Sequence, residues 1–89
     1  MNDLRLRAKR FQDRPFPLGG YAPDNLTDGF IRRYLDGGSW DDPELQDLLR
    51  LCFFEAVNES ERHTSEGRAY FEECADVLRG ILDEVYGSA

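Results

Sequence analysis

From Pro43 to Asn58 the chain reads PELQDLLRLCFFEAVN, and its apolar positions recur with the period of a helix. Leu45, Leu48, Leu49, Cys52, Phe53, Ala56 and Val57 fall at i, i+3, i+4, i+7, i+8, i+11 and i+12, one face of a 3.6-residue repeat. Asp41 and Asp42 are candidate N-caps, and Pro43 suits the first helical position, where a missing N–H costs nothing. Leu51 and Phe54 fall outside this stripe, beside Asp47, Arg50 and Asn58 on the face that should be wet. Two large apolar groups there need a cover, from the chain itself or from a partner.

Two more helices flank this one. The first begins near Asp24 or Thr27 and runs to Asp36, with Leu26, Phe30, Ile31, Tyr34 and Leu35 on one half of its wheel. Asp28, Arg32, Arg33 and Asp36 occupy the other half, and Gly37 and Gly38 supply a left-handed stop. The link GGSWDDP follows, in which Trp40 is either a core-edge staple against Leu45 or Gln46 or an interface anchor. After the polar stretch NESERHTSEG, with caps at Ser60, Thr64 or Ser65, a third helix runs to about Tyr86. Its apolar side holds Tyr70, Phe71, Cys74, Ala75, Val77, Leu78, Ile81, Leu82 and Val85. Its polar side holds Arg68, Glu72, Glu73, Asp76, Arg79, Asp83 and Glu84. Arg68–Glu72 and Arg79–Asp83 have the spacing of helical ion pairs. Gly80 on that polar side costs about 1 kcal/mol relative to alanine, which a close backbone contact would explain.

The first 24 residues read differently. Leu4, Leu6 and Ala8 alternate with Arg5, Arg7 and Lys9, as in a short extended segment, although a short helix through Leu4–Phe11 fits nearly as well. RPFPLGGYAPD then packs three prolines and two glycines into eleven residues, which excludes a helix or a central strand. Phe11, Phe16, Leu18 and Tyr21 are too apolar for an idle linker; they lie over the domain's own core or dock elsewhere. The expected fold is therefore all-α: a small three-helix domain over 25–89, a helical hairpin plus a crossing first helix, with an extended Pro/Gly-rich N-terminal arm over 1–24.

At 89 residues the chain has room for one small core, and domains of this size often gain from a partner surface. No apolar run approaches the roughly 20 residues of a membrane span, and no apolar stretch follows the basic N-terminus as in a secretory signal, so a cytoplasmic protein is expected. The net charge of −7 is unevenly spread. Residues 1–15 carry five basic against two acidic side chains, a net of +3; residues 16–89 carry six against sixteen, a net of −10. Such a body disfavours nucleic acid and anionic membrane and favours a basic partner surface. The basic arm either folds back on the body or reaches an anionic partner.

Candidate chemistry is sparse. Cys52 and Cys74 sit on apolar helix faces as small hydrophobes, at similar heights in a hairpin, so a bridge between them stays open. His63 lies in a polar loop near Glu59, Glu61 and Glu66 without the convergent ligands a metal needs. No phosphate loop, Cys-x-x-Cys or nucleophile elbow appears, so no catalytic residue, metal or cofactor is assigned. One enzyme pattern is present in part. Glu73-x-x-Asp76 is similar to the second carboxylate pair of helical, magnesium-dependent nucleotide pyrophosphohydrolases, while Glu55 and Glu59 miss the first pair's spacing.

These features lead to a non-enzymatic interaction module, a small acidic inhibitor or adaptor for a basic protein surface. Phage- or plasmid-encoded inhibitors, immunity proteins and antitoxin-like partners share this size and charge. Its acidic ridge would be Glu72, Glu73, Asp76, Asp83 and Glu84. Trp40, Leu51 and Phe54 would be its apolar contacts, and Arg5, Arg7, Arg10, Phe11, Phe16 and Tyr21 the contacts of the arm. The alternative is a structural subunit or homo-oligomer held by Leu51, Phe54, Trp40 and the arm.

Overall fold

The computed structural model describes residues 3–15 and 25–87. They form four α-helices in the order α1 (Asp3–Asp13), α2 (Asn25–Asp36), α3 (Pro43–Arg62) and α4 (Ser65–Tyr86), and no strand occurs among them. The all-α class and the three expected helices are present. The expected extended arm is not: its basic half is a helix, so the domain has four. Most of the Pro/Gly-rich stretch, with Phe16, Leu18 and Tyr21, lies outside the described residues.

The antiparallel α3–α4 hairpin is the frame. Asp42 caps α3, its Oδ1 accepting from the Glu44 N–H at 2.9 Å, with Pro43 at the first position. The helix passes beyond Asn58 to Arg62 because the polar residues there support it. Glutamate and arginine are good helix formers. Glu59 meets Arg62 at 3.4 Å and His63 at 3.1 Å, and Ser60 donates to the Val57 carbonyl instead of capping the next helix. Only His63 and Thr64 remain as the connection, so most of the expected loop is helix. Leu49, Cys52 and Ala56 of α3 face Tyr70, Cys74, Val77, Leu78 and Ile81 of α4 in one buried cluster. Both cysteines are buried inside it, and no disulfide joins them.

Helix α2 lays Phe30, Ile31 and Tyr34 on this hairpin. Its end is a Schellman turn: Gly38 N–H bonds the Arg33 carbonyl at 2.9 Å, Gly37 N–H bonds that of Tyr34, and Gly37 has φ +74°. Gly37 is suited to that left-handed conformation because it has no Cβ.

Helix α1 closes the open side, antiparallel to α4. Leu4, Ala8 and Phe11 recur at i, i+4 and i+7 and are buried, whereas Leu6 is 58% exposed. A period-two strand would have buried Leu4, Leu6 and Ala8 together. The helical period wins because it faces Leu4, Ala8 and Phe11 inward as one set, with Phe11 against Tyr70 at 4.8 Å between ring centroids. Leu4 also accounts for Gly80: a Cβ on Gly80 would lie 2.6 Å from Leu4 Cδ1. None of the described helices is long and apolar enough to cross a membrane.

Candidate interaction site

Of the arm's candidate contacts Arg5, Arg7 and Arg10, the first two are engaged within the domain, as is Arg14 just beyond α1. Arg5 donates to the carbonyls of Leu35 at 2.6 Å and Tyr34 at 3.3 Å, the last turn of α2. A cation there satisfies orphan carbonyls and complements the negative end of the helix dipole. Arg7 pairs with Asp76, and Arg14 with Glu73 while lying 5.6 Å from the Tyr70 ring centroid. Arg10 is exposed and Phe11 is core. The +3 segment thus folds back on the acidic body, the first of the two alternatives open at the level of sequence.

This docking divides the acidic ridge. Glu73 and Asp76 lie beneath α1, and Glu72 meets Arg68 at 3.4 Å along α4. Asp83 and Glu84 lie farther along, exposed, Asp83 on a cleft between α3 and α4 and Glu84 on a groove with Tyr34 and Trp40. The expected Arg79–Asp83 pair is not formed, although its spacing allows it. Glu73 and Asp76 each face a guanidinium. Among the described residues no group of three or more His, Cys, Asp or Glu side chains is placed to hold a metal ion.

Trp40 is half-buried and joins α2 to the end of α4. It stacks on Phe30 with 6.1 Å between ring centroids, meets the edge of Tyr86, and accepts the Tyr86 hydroxyl at its carbonyl oxygen. Arg33 lies 5.8 Å from its ring centroid. Its aromatic surface serves this junction first. His63, expected in a solvated loop, is half-buried at the α3–α4 turn and stacks on Phe71 at 5.2 Å.

Tyr70 is one of several buried titratable side chains, with Tyr34, Cys52 and Cys74, and it lies where α1 docks. Burial pushes its phenol up to about 12, with Cys74 adding to the shift and Arg14 opposing it. It touches the α1 docking site and no open cavity of size, and acts as a packing residue.

Among the described residues the outer face of α3 stays open. Leu51 is 51% and Phe54 58% exposed, and Leu48 lies at its margin. At 100° per residue they point away from Leu49, Cys52 and Ala56, the buried line of the same helix. Asp47, Leu51, Phe54 and Asn58 form one exposed stripe at i, i+4, i+7 and i+11, and Glu44 and Glu55 beside it are exposed too. The helix carries five carboxylates against Arg50 and Arg62. Neither α1 nor α2 covers the stripe. The Leu51/Phe54 anomaly was visible in the helical period; the cleft beside it was not, because its walls come from two helices. No protein-family model, no curated protein and no solved structure matches this chain.

Proposed function

We propose that this protein is a non-enzymatic interaction module, an acidic inhibitor or adaptor that docks the outer face of α3 on a basic protein surface. Leu51 and Phe54 are the anchors, and Glu44, Asp47 and Glu55 the charged rim. One observation carries the reading: two large apolar side chains stand more than half exposed on the solvent side of the domain's central helix. An apolar centre with a polar rim is the usual anatomy of a protein interface. Asp83 and Glu84 extend the negative field on α4 and steer a basic partner during encounter.

A structural subunit or homo-oligomer held by the same pair is the second reading. Across a two-fold axis, however, the carboxylate rim would face its own copy, and like charges oppose that contact.

The test is capture from the native host with the wild-type protein and with Leu51→Ser/Phe54→Ser, at low and high salt, with the mass of the free protein measured in parallel. The expected result is a monomer that captures a basic protein, with capture weakened by salt and lost in the double variant. A dimer that the double variant splits would favour the second reading. Capture unaffected by both salt and the double substitution would remove both readings.

A further inference from the structure

The arginines of this molecule are nearly all used. Of eleven basic side chains, eight meet a carboxylate or a backbone carbonyl. Arg10, Arg50 and Arg79 have no such partner among the described residues, and the last two line one cleft of about 300 Å³ between α3 and α4. Its apolar wall is formed by Phe53, Leu82 and Tyr86. Asp83 lines it too, four residues from Arg79, without an ion pair to either guanidinium. The cleft therefore holds two positive charges and one negative in a protein of net charge −7.

Two unpaired guanidiniums over an apolar wall present planar donor forks to an anion and dispersion contacts to whatever is attached to it. The local excess of one charge suits a monoanion, because a phosphate dianion would meet Asp83 with twice the repulsion. The geometry points to a binding site for an amphiphilic carboxylate, its carboxyl group held by Arg50 and Arg79 and its aryl or branched alkyl group packed on Phe53, Leu82 and Tyr86. The volume is at the small end of ligand sites and fits one ring with a short chain. This chemistry is shared by free arylalkanoic acids and by a peptide C-terminus with an apolar last residue. The site does not depend on the proposed docking face: Phe54 borders both, but Leu51 does not line the cleft.

The experiment is an amide-resolved NMR titration of the whole chain with 4-phenylbutyrate, its neutral amide 4-phenylbutanamide, and the peptide Gly-Gly-Leu-Phe as free acid and as C-terminal amide. Saturable shifts confined to residues around 50–54 and 79–87 are expected with the acids, with binding at least fivefold weaker for each amide. Arg50→Gln/Arg79→Gln should remove that preference, and Leu51→Ser should leave it intact. Tighter binding of either acid over the other identifies the source and supports the site. Equal binding of acid and amide by the wild-type protein would overturn the proposal without any variant. So would acid shifts that fall elsewhere or that survive the double substitution.

Discussion

Replacing Gly80 with alanine asks whether α1 really packs on α4. In an isolated helix the change is favourable by about 1 kcal/mol, because glycine has more backbone freedom to lose. In this fold the new methyl would lie 2.6 Å from Leu4 Cδ1 and 3.2 Å from Cδ2. Leu4 is buried, so it yields only by leaving its place in the core, and overpacking of this kind costs about 1–3 kcal/mol. The two effects oppose, and a net loss of about 1 kcal/mol is expected, read as a lower urea midpoint by far-UV circular dichroism. Amide hydrogen exchange should rise in α1 more than in α3. Leu4→Ala alone should cost about 2–5 kcal/mol, the range for a buried leucine. With Leu4 removed, Gly80→Ala meets no obstacle and should stabilise by up to about 1 kcal/mol. The sign of one substitution thus reverses with the background, a coupling measurable by double-mutant cycle. A Gly80→Ala protein about 1 kcal/mol more stable than wild type, with α1 exchange unchanged, would refute the packing of α1 on α4.

Three further outcomes follow from the same geometry. Leu49→Ala, at a fully buried position, should cost about 2–5 kcal/mol in urea unfolding, while Leu51→Ala two residues on should stay within about 0.5 kcal/mol. The fold favours the neutral Tyr70 phenol, so its contribution is intact below pH 10.0 and is lost as pH rises toward about 12. At about pH 11 that loss is roughly 1.4 kcal/mol, and wild type should fall by that much more than Tyr70→Phe between pH 9 and pH 11 in urea midpoints, allowing for the phenols common to both. Asp42→Ala removes the acceptor of the Glu44 N–H and should lower stability by about 0.5–2 kcal/mol, with fraying at the start of α3 visible in hydrogen exchange.

The amino-acid sequence alone determined the three longer helices, because each has an apolar stripe at the helical period and a recognisable end: Asp42 and Pro43 open α3, and Gly37 and Gly38 close α2. It also exposed Leu51 and Phe54 as residues that one buried face could not absorb. Tertiary structure decided what happens at the N-terminus. Leu4, Leu6 and Ala8 fit period two, Leu4, Ala8 and Phe11 fit period 3.6, and within a segment this short the two patterns differ only in taking Leu6 or Phe11. The choice was made by partners distant in sequence: Gly80, whose missing Cβ gives Leu4 its space, the last carbonyls of α2 for Arg5, and Asp76 and Glu73 for Arg7 and Arg14. The same cause hid the fate of the acidic ridge and the Arg50–Arg79 cleft. Charge and periodicity are written locally, but which charges meet depends on how helices pack, and no window along the chain contains that.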